Sequence, residues 1–168
     1  MGAESEGGVT APAQLLSFDP AKTSGWAWFS NAQLVRAGYG PFHKLIAEPP
    51  TDLIWFADVA DQKTLVLIET PHDLWKGEVD DIIKVAIMVG RLEEFYAKRG
   101  CEVVRVKPVE WKGSVPGDVM TDRILNRLRP EELARVPLRP RAKTPDHNCV
   151  DAIGLGLWKL GRMHGTWQ

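Results

Sequence analysis

Residues 64–69 read TLVLIE, and this stretch decides the fold. Aliphatic and β-branched side chains follow one another without the polar alternation of a half-exposed strand, so the run predicts a central strand covered on both faces. It stops on a carboxylate, Glu69. Downstream, Val79, Ile83, Ala86 and Gly90, with Ile82, Ile87, Leu92 and Phe95 beside them, recur at helical intervals until Gly100, which predicts a long helix over about 78–99. Residues 101–106 read as the next strand, ended by Lys107-Pro108. Upstream, Pro49-Pro50 interrupts the chain, and Thr51 can cap a helix built on Leu53, Ile54, Phe56 and Val59. Before that lie three strands, 15–19, 25–29 and 33–39, the last two a hairpin turning at Ser30-Asn31. Beyond residue 107 the pattern gives a short helix over 118–128, a further turn over 131–136, a proline-rich loop PLRPRAKTP, and a final helix over about 146–160. Three strands, helix, strand, helix, strand and helices predict an α/β fold, a mixed sheet with helices on both faces.

The chain has 168 residues, 44% of them hydrophobic and 26% charged, enough for one domain with a full core over 14–168. Residues 1–13 are small and polar and read as a disordered tail. No stretch approaches the roughly 18 apolar residues of a membrane span, and the first residues lack the basic flank and apolar run of a signal peptide, so the expected setting is cytoplasmic. Two cysteines, Cys101 and Cys149, with no CxxC pair, favour buried free thiols over a disulfide or a zinc site. A net charge of -1 says nothing for or against a polyanionic partner. Local basic surface can serve instead: Arg123, Arg127, Arg129, Arg135, Arg139, Arg141 and Lys143 stand against Asp122, Glu131 and Glu132. Such a segment either tracks phosphates or is a solvated helix and loop.

Three carboxylates carry the chemistry. In FDPAKTSGWAWF, residues 18–29, Asp19 ends a buried strand and is followed by a turn into the next; it either caps that turn or belongs to a site. In VLIETPHDLWKG, residues 66–77, Glu69 ends the central strand, where a lone carboxylate needs a partner, a hydrogen bond or a cation. If the two strands are neighbours, Asp19 and Glu69 face one another, and a divalent cation is the usual remedy for their repulsion. In TPDHNCVDAIGLGLW, residues 144–158, Asp146 can cap a helix whose small and apolar remainder must pack closely. Asp151 stands four residues after His147 and three after Asn148, which puts either on its face of the helix. A histidine at that place ordinarily caps or meets solvent, yet the spacing makes His147 a candidate.

Asp19 in DPAKTSGWA, Glu69 in LVLIETP and Asp151 in HNCVDAIGLGL, in this order, resemble the RuvC-type Holliday-junction resolvases of the RNase H-like superfamily, especially their short bacteriophage forms. The resemblance covers nearly all of the chain from residue 14. It implies an RNase H-like mixed five-stranded sheet and two Mg²⁺ or Mn²⁺ ions on Asp19, Glu69 and Asp151, with no small-molecule cofactor. The implied protein is a homodimeric crossover junction endodeoxyribonuclease acting on four-way DNA in a bacterial or phage-infected cell. Two such ions hydrolyse a phosphodiester to 5′-phosphate and 3′-hydroxyl ends, with His147 as the residue to orient or deprotonate water. The family's fourth site residue, an Asp or His, falls at Asn148 here, and His147 or Asp146 can take its place. The same comparison puts Lys107, Lys112 and Arg123 against DNA phosphates. Trp75, just beyond Glu69, would stack on an unpaired base or pack under its own loop. The carboxylates define chemistry rather than substrate. An RNase H-like nuclease on another branched or hybrid nucleic acid, and a junction-binding protein that does not cut, are the alternatives. An actin-like phosphotransferase would need a second phosphate loop and lobe, for which the chain is too short.

Overall fold

The computed structural model describes residues 12–42, 64–71 and 79–163. Its elements are β1 (Gln14–Asp19), β2 (Thr23–Ser30), β3 (Gln33–Pro41), β4 (Thr64–Glu69), α1 (Val79–Ala97), β5 (Glu102–Val106), α2 (Pro108–Trp111), α3 (Gly117–Leu125), α4 (Pro130–Leu133) and α5 (His147–Lys159). One five-stranded sheet runs in the order β3-β2-β1-β4-β5. The first three strands pair antiparallel, whereas β1 with β4 and β4 with β5 pair parallel. The helix expected after Thr51, most of the expected tail, His72 and Trp75 lie outside the described residues.

Every residue of β4 is buried, as its unbroken apolar run requires. Strand alternation divides the core in two. Leu15, Leu65 and Leu67 join one cluster with α5, while Leu16, Phe18, Val66 and Ile68 join the other with Val89, Leu92 and Tyr96 of α1. Phe18 is paired with Ile68 across the parallel β1–β4 ladder. The next residue on each strand, Asp19 and Glu69, therefore emerges on the α5 face beside the other.

Close approach of α5 to the sheet follows from side chains that are small or absent. Asp146 caps it, its carboxylate accepting from the amides of Asn148 at 3.1 Å and Cys149 at 3.4 Å. Gly25, the antiparallel partner of Asp19, lies so near this helix that a Cβ there would run into the Asn148 carbonyl. The Ser17 hydroxyl donates to the Ala152 carbonyl at 2.6 Å, tying β1 to the helix turn that bears Asp151. Both cysteines are buried free thiols. Among the described residues no helix is long and apolar enough to cross a membrane.

One sequence expectation needs correction. Of the apolar residues read from the sequence on α1, Leu92 is buried but Val79, Ile83 and Ile87 are exposed, and Val89 and Tyr96 complete the docking face. The helix is apolar around most of its circumference, so periodicity alone cannot choose the inner side. Lys107-Pro108 ends β5 but also starts α2, with Pro108 at its first position, where a missing amide hydrogen costs nothing. The helix expected over 118–128 is α3, which ends at Leu125, and the turn expected over 131–136 is α4.

A buried ion pair closes the far end of the fold. Arg162 Nη1 and Nη2 reach Glu132 Oε1 and Oε2 at 2.7 and 2.6 Å, and the amides of Leu34 and Arg129 donate to the same carboxylate at 2.7 and 2.9 Å. The guanidinium also donates to the carbonyls of Ala32 and Arg127, both at 3.0 Å. Burial opposes the charge on Glu132, yet the hydrogen bonds from Arg162, Arg129 and Leu34 outweigh it and hold the carboxyl down at about 2 from its ordinary 4.5. A depressed carboxyl stabilises fully above its unfolded value and loses that contribution as pH falls toward 2. Glu132→Gln is expected to cost about 3 kcal/mol at pH 7, because Arg162 is left without its countercharge. In urea unfolding the difference from the parent should shrink steadily between pH 4.5 and pH 2. A difference that stays constant over that range would contradict this account.

Candidate metal-binding and catalytic site

Asp19 at the end of β1, Glu69 at the end of β4 and Asp151 in the second turn of α5 lie on one side of the sheet, since β1 pairs with β4 and one side chain, Lys112, reaches both Glu69 and Asp151. Asp19 lies deep among protein atoms with part of its surface still accessible. Burial, then the charges of Glu69 and Asp151, push its carboxyl well above the usual range, against a smaller opposing effect of Lys112. Glu69 is buried and also raised, chiefly by burial, although Lys112 and Trp111 favour its charged form. Trp111 donates its indole hydrogen to Glu69 Oε2 at 2.7 Å.

The described cation among these acids is Lys112. Its Nζ donates to Glu69 Oε1 at 3.2 Å and to Asp151 Oδ2 at 2.9 Å. Burial disfavours the ammonium, but Asp151, Glu69 and Asp19 together outweigh it and raise the amine above its ordinary range. Lys112 ends α2, its amide donating to the Pro108 carbonyl at 2.9 Å, and Gly113 follows with φ 58°. A one-turn helix and a left-handed residue thus fix the base of this side chain. Trp111 is held in turn by Gly154 of α5, where a Cβ would meet the indole and Ile124.

The other expected residues have varied placements. His147 is exposed at the first position of α5, one turn before Asp151, and no hydrogen bond links it to the three carboxylates. Asn148 is buried, its amide donating to the Thr23 carbonyl of β2, and Asp146 is occupied as the helix cap. Lys107 is exposed at the start of α2. Arg123, on α3, borders a cleft of about 170 Å³ together with Trp111, Lys112, Arg127 and Trp158. Trp75 falls outside the described residues. The reading from sequence missed Trp111, Ser17 and the ion-pairing of Lys112. Pro108 and Gly113, which bracket α2, were the available signal for the turn that delivers two of them.

Three carboxylates are the hard oxygen donors that Mg²⁺ or Mn²⁺ prefers, and one ammonium, that of Lys112, reaches two of them, Glu69 and Asp151. The donor chemistry therefore fits such an ion. Among the described residues, however, no three His, Cys, Asp or Glu side chains already stand as a closed ligand set. Lys112 lies between two of the oxygens such a set would use.

A raised carboxyl costs stability wherever it is forced to ionise, and the cost vanishes below its unfolded value of about 3.8. Asp19→Asn is therefore expected to raise the Tm of the metal-free protein at pH 7 by about 3 °C. The gain should disappear as pH falls below 3.8. Calorimetric scans across pH test this, and a lower Tm at pH 7 would refute it.

Neither a protein-family model nor a curated protein matches this chain. Solved structures do. The structure of Thermus thermophilus RuvC aligns over 89% of this chain and 96% of its own, with TM-score 0.59 and 14% identity. Thermus thermophilus RuvC in complex with a Holliday junction substrate aligns over 89% and 95%, with TM-score 0.60 and 14% identity. These RuvC structures are structural neighbours of the chain, and its architecture is the RNase H-like α/β fold that the sequence resemblance implied.

Proposed function

We propose that this chain is a metal-dependent endonuclease that cuts four-way DNA junctions. The observation that carries the reading is the gathering of Asp19, Glu69 and Asp151 from β1, β4 and α5, with Lys112 among them. The fold's likeness to a RuvC structure holding a Holliday junction supports the substrate class. Asp19, Glu69 and Asp151 would hold two Mg²⁺ or Mn²⁺ ions. When bound, such ions supply activation of water and stabilisation of the leaving 3′-oxygen, giving 5′-phosphate and 3′-hydroxyl ends.

The chain's own residues supply the rest. Trp111 orients Glu69 through its indole hydrogen bond, and Ser17 and Gly25 fix the depth of α5, hence of Asp151. His147, exposed one turn before Asp151, would orient the attacking water once substrate covers the helix end. Lys107 and Arg123 would bind phosphates around the site. Farther out, exposed Arg139, Arg141 and Lys143 share a loop braced by the bridge between Leu138 and Pro145 and by the Arg139 amide donating to the Thr144 carbonyl at 2.8 Å. A braced basic loop leading directly into α5 suits the phosphates of a junction arm.

A four-way junction has two equivalent strands to cut, which suits a twofold protein. The outward apolar stripe of α1, with Val79 68% and Ile83 and Ile87 each 51% exposed, is our choice for the homodimer contact. Ile87→Asp should yield a folded monomer in sedimentation equilibrium where the parent is a dimer. A parent that sediments as a monomer would remove this contact from the proposal.

Cleavage assays on a four-way junction, linear duplex and RNA:DNA hybrid with Mg²⁺ or Mn²⁺ test the main reading. The junction is expected to be cut at least about tenfold faster than duplex, a difference of roughly 1.4 kcal/mol in barrier. Equal rates would sink junction selectivity. Asp151→Asn should abolish cutting and retain junction binding, and loss of both would make Asp151 a structural residue.

A further inference from the structure

The position of Lys112 has a consequence for how the site loads. Its ammonium sits on Glu69 Oε1 and Asp151 Oδ2, and a cation coordinated by these two carboxylates would compete for those oxygens. One monovalent charge cannot share a tight carboxylate cluster with a divalent ion without direct repulsion. The backbone at Lys112 is pinned by α2 and Gly113, but the side chain has a four-carbon stem, remains 22% exposed and also borders the cleft beside Arg123 and Arg127. The stem can therefore reach two environments from one fixed base.

We propose that Lys112 is a tethered counterion, occupying the carboxylates while metal is absent and exchanged for a divalent cation on loading, when its ammonium turns into the adjoining cleft. The inference rests on the nuclease reading and deepens it. Lys112 then acts twice, first keeping Glu69 and Asp151 from repelling each other before metal binds, later presenting its charge where the cleft adjoins the site. Metal affinity becomes a difference between two cations competing for the same oxygens, so removing the tethered one should tighten binding of the other. A lysine directed at DNA and away from the carboxylates predicts a smaller change, and one that helps hold the metal predicts weaker binding.

Mn²⁺ titration calorimetry of the parent, Lys112→Met and Lys112→Gln tests the exchange without substrate. Both variants are expected to bind Mn²⁺ about tenfold more tightly, equivalent to roughly 1.4 kcal/mol, and to melt at lower temperature than the parent when metal-free. Equal or weaker Mn²⁺ affinity would overturn the proposal. The unmodified protein provides a second readout should the variants fold poorly. Acetylation of Lys112, followed by mass spectrometry and normalised to exposed Lys107, should rise severalfold on adding Mn²⁺, because the freed amine leaves its carboxylates. Unchanged or reduced labelling in a protein that binds Mn²⁺ would overturn the exchange alone. Absence of any Mn²⁺ binding would overturn the metal-dependent reading together with it.

Discussion

The parallel register of β1 against β4 is the constraint on which the structure depends. Phe18 beside Ile68 brings the next residues, two acids, out side by side beneath α5. Two unit charges 4 Å apart repel by about 4 kcal/mol at an effective dielectric near 20. A domain's whole net stability is only about 5–15 kcal/mol. Sliding the ladder by one residue would relieve the repulsion, but it would also send every apolar side chain of β4 to the opposite cluster. The hydrophobic pattern wins that contest and the acids remain together. Lys112 and the Trp111 indole are the fold's local answer to the charge so concentrated.

Precision at the site comes from α5, whose early polar residues divide the work. Asp146 satisfies amides at the helix start, His147 meets solvent, Asn148 grips β2, and Asp151 turns toward the strand ends. His147 and Asp151 stand one turn apart on the same side of the helix, so position along the axis rather than direction around it separates their surroundings. Gly25 and Gly154 let β2 and Trp111 approach the helix at the level of these residues, so the carboxylates are positioned by rigid elements rather than by a loop.

Much of this was legible in the sequence because it depended on local pattern. The run TLVLIE could only be a covered strand, and Asp19, Glu69 and Asp151 each interrupted or ended an apolar segment. The rest depended on contacts between distant segments. On α1, apolar residues surround the helix, so Val89, Leu92 and Tyr96 could not be distinguished from Val79, Ile83 and Ile87 before the sheet was in place. The four residues of α2 are too few to show a period. The ion pairs of Lys112 join residues 43 and 39 positions apart, and nothing in the neighbourhood of residue 112 announces them.

The bond between Ser17 and Ala152 links residues 135 positions apart. Contacts of such separation form late, because the intervening chain must first be drawn together. The carboxylate cluster thus draws on both ends of the described fold. On the ribosome, a chain that has not yet released α5 holds Asp19 and Glu69 but lacks Asp151 and the helix that covers them. The three-carboxylate cluster therefore exists only after the last described helix has docked on the sheet.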